Sequence, residues 1–330
     1  MEIILHVGPH KTGSTALQRM FTALRDDLAS QDMIYPRIGV TETGHHALVE
    51  QLRGRDAGVD LAALVNEVAL ARKMLLSSEN IALAERDALK RLQDLFPSAQ
   101  FRVIYYLRRL ADLWPSHWQE LVKHGQTLGF ADYLAEAAMG HPENGANALN
   151  QIDQLTRLTS VFGPVEIIGY DALAAAGTEI GRHMLGEVLD LAGIEAGAPL
   201  ANCSLKHWQV EILRLLNALL REAGQDANHA LREALLYRLR TAPPNWLIAF
   251  REAVDAAPGL LIDSEGPLIS VLQHHLVQTF GTMIRGDRLA SVNAYFAPIT
   301  RTVPRFEVPV LLSHDLRAKA EAFLRAVADS

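Results

Sequence analysis

One cysteine, Cys203, is all the chain contains, so an internal disulfide and a cysteine-held zinc site are both excluded. That usage suits a reducing, cytoplasmic setting. Long apolar runs are missing too: nowhere do about 18 apolar residues follow one another, and no membrane-spanning helix is expected. The start, Glu2-Ile3-Ile4-Leu5-His6-Val7, has no basic region, no extended apolar stretch and no small-residue cleavage site, which argues against a signal peptide. Polar low-complexity tracts and internal repeats are absent. Positive charge is in deficit, with 31 Lys and Arg against 38 Asp and Glu and a net charge of -7. A general nucleic-acid-binding surface is thereby disfavoured, and any anion site has to be concentrated at one place.

What is present suffices for a sizeable core. Hydrophobic residues make up 49% of 330 positions and charged residues 21%, which fits one large α/β domain with an elaboration or two modest domains. Residues 2 to 7 form a short apolar run ending at Gly8, as a buried parallel strand does. From Ser14, the apolar positions Leu17, Met20, Phe21, Leu24 and Leu28 recur at helical spacing. Lys73 to Ser77, Phe101 to Leu107 and Pro164 to Gly169 read as further strands, with helical segments at about Glu85 to Phe96 and Ala148 to Phe162 between them. Alternating strands and helices predict an α/β fold, a parallel β-sheet flanked by helices over roughly residues 1-200.

Residues 201-330 read as a mainly helical extension. A stripe of Trp208, Ile212, Leu215, Leu216 and Leu219 opens it, helical runs follow near 228 to 240 and 264 to 285, and a last helix begins at about Asp315. Ala297 to Pro309 carries three prolines and is expected to be irregular. The adjacent His274-His275 has no matching carboxylates, so a helix-surface pair is expected there rather than a metal site.

The segment Gly8-Pro9-His10-Lys11-Thr12-Gly13-Ser14-Thr15 lies between the first strand and the first helix. Backbone N–H groups and the helix dipole converge at such a place, which suits a phosphate. Gly8 and Gly13 allow close backbone approach, Lys11 supplies a point charge, and Ser14 and Thr15 add hydroxyls. A Walker A loop carries its lysine immediately after the second glycine; here Lys11 precedes Gly13 by two residues.

The order H-K-T-G-S-T after a strand resembles the 5'-phosphosulfate-binding loop of the sulfotransferase family, its bacterial members in particular, with their P-loop nucleotide-kinase-like fold. A second likeness supports it: Arg108 ends the strand Phe101 to Leu107 and Ser116 follows eight residues later, the residue types and spacing with which the family grips the nucleotide 3'-phosphate. The sequence departs from the family in having Arg109-Leu110 where many members have Asn-Pro, and Pro115 directly before the serine. With Asp112 as N-cap, Pro115 would fall in the first helical turn, where its missing N–H costs nothing.

The resemblance implies a sulfotransferase using 3'-phosphoadenosine 5'-phosphosulfate (PAPS) as co-substrate and no metal. Its binding set would be His10, Lys11, Thr12, Gly13, Ser14, Thr15, Arg108 and Ser116, and its acceptor a hydroxyl of a carbohydrate or small metabolite. Lys11 would steady charge on the bridging oxygen. Glu79, in the LLSSEN run at a strand end, would take the acceptor proton, with the His45-His46 pair, His46 foremost, as rival base. Asn202, Ser204 and Lys206 are weaker candidates for nucleotide contact. Two other readings remain open: an ATP-dependent P-loop kinase, and a non-catalytic module that binds a nucleotide or a glycan.

Overall fold

The structure, a computed structural model, describes residues 1–138, 150–191, 193–195, 205–225, 228–257, 259–263, 265–283, 298–304 and 314–329. Cys203, Asn202 and Ser204 lie outside the described residues. The chain divides into two compact units. The first comprises Met1–Arg109, Asn147–Ala201 and Ser270–Ala297; the second comprises Leu110–Ala146, Asn202–Ile269 and Pro298–Ser330. A single cut near residue 200 does not describe this division, because the helices that follow Arg109 group with the later part of the chain.

The first unit is built on five parallel strands: β1 (Glu2–Val7), β2 (Met33–Ile34), β3 (Lys73–Ser77), β4 (Gln100–Leu107) and β5 (Val165–Gly169), in the order β2-β3-β1-β4-β5. The predicted parallel sheet is thus present, with β1 at its centre. Alternation along each strand sends side chains to opposite faces. Ile3, Leu5 and Val7 join one apolar cluster with Met74, Leu76, Val103 and Tyr105, whereas Ile4 joins another with Leu75, Ile104 and Tyr106. Both faces are covered by helices, so the central strands are largely apolar, as buried parallel strands are.

The helix predicted from Ser14 is two helices. α1 (Ser14–Ala23) ends at Leu24, and α2 (Arg25–Ser30) turns against β2, Leu28 and Met33 sharing one apolar cluster. On the opposite face lie α3 (His46–Leu52), α4 (Leu61–Glu67), α5 (Glu79–Leu83), α6 (Arg86–Leu95) and, after the second unit's α7 (Leu110–Lys123) and α8 (Phe130–Ala138), α9 (Gln151–Phe162). After β5 come α10 (Tyr170–Ala175) and α11 (Ile180–His183), the latter continued by a π-helical turn, Met184–Val188.

In the second unit, α12 (His207–Glu222) and α13 (His229–Thr241) are the expected helices, and α14 (Leu247–Asp255) is one that the sequence pattern did not single out. α12 is apolar on most sides and holds a buried ion pair, Arg214 to Glu211 at 2.7 Å. The expectation of an irregular Ala297 to Pro309 is corrected for part of that span: β6 (Gly259–Asp263) and β7 (Thr300–Pro304) form an antiparallel pair in this unit, while Ala297 and residues 305–309 lie outside the described residues. Pro304 sits at the strand end opposite Gly259, a position where a missing N–H is tolerated. α16 (His314–Ala328) also belongs to this unit, whereas α15 (Pro267–Phe280) lies from Ser270 onward in the first unit, its Leu276 and Phe280 sharing the apolar cluster of Ile3, Leu5 and Val7, and His274 and His275 are exposed on it as expected.

The expected first-turn position of Pro115 is also corrected. α7 begins at Leu110, so Asp112 already lies in the first turn and Pro115 is inside the helix. Leu110 and Ala111 are buried, and that burial draws the residues ahead of Asp112 into the helix. Among the described residues no helix is long and apolar enough to cross a membrane.

Candidate functional site

Parallel strands place all their C-terminal ends along one edge, where loops can gather functional groups. In the first unit, three neighbouring strands do so. β1 supplies the Gly8–Thr15 loop, β3 leads through Ser78 into Glu79, and β4 ends beside Arg108.

The loop is shaped by two left-handed residues, Lys11 at φ 73° and Gly13 at φ 78°, with Thr12 between them at negative φ. Backbone turns of this kind direct successive N–H groups to one side and form anion-binding concavities. For a lysine the left-handed conformation costs about 1–2 kcal/mol, so the rest of the loop must hold it in place. Thr12 contributes: it is fully buried, and its Oγ1 donates to the Pro9 carbonyl at 2.9 Å. Space at Gly8 is tight, since a Cβ there would stand 3.2 Å from Thr12 Oγ1, close enough to press on that buried hydroxyl.

Gly13 is the N-cap of α1, provides no side-chain cap, and is followed by a first turn without an acidic residue. The orphan N–H groups at this helix start therefore meet no carboxylate of their own turn, the condition in which they suit an anionic ligand. Ser14 is buried, and Thr15, His10 and Lys11 are half-buried.

Arg108 reaches the same loop. Its Nη1 donates to the Lys11 carbonyl, its guanidinium lies over the Tyr170 ring at 5.4 Å, and its own carbonyl accepts from Gln151 Nε2 at 2.8 Å. Asp171, nearly buried, accepts from the Arg109 backbone N–H at 2.7 Å and lies within 4.0 Å of both the Arg108 and the Arg109 guanidinium. Ser116 is carried by α7, in the second unit, where it is half-buried.

Glu79 is the first residue of α5, whose N-cap is Ser78, not Glu79; Ser78 Oγ accepts from the Asn80 N–H. The carboxylate is 7% exposed and accepts a 2.9 Å hydrogen bond from Gln18 Nε2. His46 Nε2 stands 3.9 Å from the same oxygen, while His46 Nδ1 lies 2.8 Å from Ser78 Oγ. Burial pushes the Glu79 pKa up, but its own backbone N–H, the His10 and His46 imidazoles and the Gln18 amide together hold it below the ordinary carboxylate value. Glu79 is accordingly ionised at neutral pH and able to accept a proton.

The two adjacent histidines have different environments. His45 is fully buried; its Nδ1 accepts from the Ser77 N–H at 3.2 Å, so its Nε2–H faces the Pro36 carbonyl at 3.2 Å. Both nitrogens are thus engaged by backbone, and burial pushes its pKa down to about 3. His46, with a side chain 27% exposed, is the member of the pair that faces Glu79.

Sequence reading did not find Gln18, Tyr170 or Asp171. Gln18 had a detectable signal: it falls on the buried stripe of α1 with Ser14, Leu17 and Phe21, a polar amide on an apolar face. Tyr170 and Asp171 directly follow a strand end, but nothing in their spacing pointed to Arg108 or Arg109. Among the described residues no group of three or more His, Cys, Asp or Glu is placed to hold a metal ion. Lys206 is the N-cap of α12, and its backbone N–H donates to Gln209 Oε1 at 2.8 Å.

No protein-family model matches the chain. No curated protein matches it either. Among solved structures it is similar to the sulfotransferase domain from the curacin biosynthetic pathway, at 15% identity and a TM-score of 0.30, over 59% of this chain and 74% of that one.

Proposed function

We propose that the chain is a sulfotransferase that moves the sulfuryl group of PAPS to a hydroxyl of a carbohydrate or small metabolite. One observation carries the reading. An anion-shaped loop with Lys11 at its bend is flanked, from the two strands beside β1, by a cation and by an ionised carboxylate: Arg108 on the β4 side and Glu79 on the β3 side. The residues fit a doubly anionic nucleotide. The α1 start offers backbone donors without a competing acid, and Lys11 and Arg108 bring positive charge to a protein whose net charge is -7.

In this scheme the backbone N–H groups of Thr12 to Thr15 hold the 5'-phosphate, assisted by His10 and by the Ser14 and Thr15 hydroxyls. Arg108 holds the 3'-phosphate. Lys11 stabilises charge on the bridging oxygen as the sulfur–oxygen bond to the 5'-phosphate breaks. Glu79 takes the proton of the acceptor hydroxyl as its oxygen bonds to sulfur, and His46 supports the charge of Glu79. The products are a sulfate ester and adenosine 3',5'-bisphosphate. Positioning and charge stabilisation supply the acceleration, and the scheme requires no metal.

A P-loop kinase is the competing reading, and the placement of Lys11 before Gly13 disfavours it. Thermal shift separates the two. Adenosine 3',5'-bisphosphate should raise the melting temperature without magnesium, and magnesium-ATP should not. Transfer of labelled sulfur from PAPS to a panel of hydroxylated acceptors then tests the reaction, and ligand binding without transfer to any of them would favour a non-catalytic module.

A further inference from the structure

The Gln18 side-chain amide bonds directly to the Glu79 carboxylate, and its surroundings leave little freedom. The side chain is 1% exposed, Nε2 donates to Glu79 Oε2 at 2.9 Å, and Oε1 accepts from Thr43 Oγ1 at 3.5 Å. The orientation of the amide follows from chemistry. An ionised carboxylate only accepts, so the NH2 group must face Glu79 and the carbonyl must face the Thr43 hydroxyl. The Thr43 end is itself fastened, its carbonyl accepting from Tyr35 Oη at 2.8 Å. Gly44 beside it keeps the space open, since a Cβ at that position would stand 2.8 Å from the Gln18 amide and 2.6 Å from His46 Nε2.

Gln18 also belongs to α1, whose first residues form the anion-binding end of the loop. A rigid helix therefore links that loop to the orientation of Glu79. We propose that Gln18 is a positioning residue: it aims the Glu79 carboxylate, registering the proton acceptor against the donor-binding loop. The proposal rests on the reading of Glu79 as the base in sulfuryl transfer.

Two substitutions test it. Gln18→Met keeps length and removes the donor; Gln18→Glu keeps shape and sets a second carboxylate against the first. The Glu79 carboxyl is titrated by NMR in protein labelled with carbon-13 at glutamate carboxyls, its signal assigned by loss in Glu79→Gln. A hydrogen bond to a charged group, once removed, should raise the Glu79 pKa by about one to two units in Gln18→Met. Gln18→Glu should raise it further, because two close carboxylates do not both ionise readily. The acid limb of the kcat/KM profile for sulfuryl transfer should move upward by the same amount, while affinity for adenosine 3',5'-bisphosphate stays within about threefold.

An unmoved Glu79 titration in both folded variants overturns the proposal, whatever the activity. A moved titration with an unmoved pH–rate profile overturns the catalytic part of it. Failure of the reading of function looks different. Wild-type protein would then transfer no sulfuryl group, while Glu79 would still shift in the variants, so the Gln18–Glu79 coupling would stand and only the reaction assigned to it would fall.

Discussion

The Arg108 guanidinium donates to the carbonyl oxygen of Lys11, across 97 positions of sequence. This bond fixes the back of the loop at its left-handed bend and leaves the loop N–H groups uncommitted to it. It also means that Arg108 has a structural duty to the loop beside any duty to a ligand, and the predictions for these two residues have to separate the two.

Lys11→Gly separates strain from charge. Glycine accepts φ 73° without penalty, so the variant should be as stable as the wild type or more so, by up to about 1 kcal/mol. Sulfuryl transfer should nevertheless fall by about 100-fold or more, the scale on which a charge-stabilising donor acts. Chemical denaturation and a labelled-donor assay on one preparation check both halves, and near-wild-type transfer would remove Lys11 from the chemistry.

Arg108→Ala should weaken adenosine 3',5'-bisphosphate binding by about 10-fold or more, because a charge-assisted hydrogen bond is worth about 1.5–3 kcal/mol. Adenosine 5'-phosphate, which lacks the 3'-phosphate, controls for damage to the loop. If both ligands lose affinity equally, the role of Arg108 is confined to holding the Lys11 carbonyl.

Glu79→Gln should fold normally and lose at least about 100-fold in turnover at saturating donor, with donor affinity retained. His46→Ala should keep a larger share of activity and raise the pH at which the acid limb falls, since the imidazole helps hold the Glu79 pKa down. His45→Ala should act on stability, as both its ring nitrogens serve the backbone. Retained turnover in Glu79→Gln with loss in His46→Ala would reverse the assignment of the base.

Acid should destabilise the protein through two buried histidines. Burial pushes His6 down to about 4, against an opposing pull from Glu79, and His45 down to about 3, from 6.5 in the unfolded chain. Below pH 6.5 the unfolded chain takes up protons that the folded chain refuses, so stability falls with pH from 6.5 towards 4, and for His45 towards 3. Each unit of difference is worth about 1.4 kcal/mol, against a total stability of about 5–15 kcal/mol for ordinary domains. Urea midpoints at pH 7.5, 6.5, 5.5 and 4.5 should decline through this window, and a flat series would contradict the burial of both rings.

Much of the fold was legible because its strands are short apolar runs with turn residues at their ends. Lys73 to Ser77 matches β3 residue for residue, and Phe101 to Leu107 misses only Gln100 of β4. Periodicity failed where long-range packing decided the outcome. The break at Leu24 comes from docking α2 on β2, and the pairing of Gly259–Asp263 with Thr300–Pro304 joins segments too far apart for any local signal. Pro115 misled for a related reason, since buried Leu110 and Ala111 start α7 earlier than the capping residues suggested.

By itself the sequence determined the loop chemistry: a lysine between two glycines, with hydroxyls following the second, at a strand-to-helix junction, because local backbone geometry and residue type are written there in eight consecutive positions. Tertiary structure alone decided which distant groups meet that loop. Parallel pairing of β3, β1 and β4 brings Glu79 and Arg108 to either side of it, and the docking of α1 on the sheet seats Gln18 against Glu79 while the backbone claims both nitrogens of His45. The physical reason is that strand order and helix docking are set by apolar burial summed over the whole unit, which no short window of residues encodes.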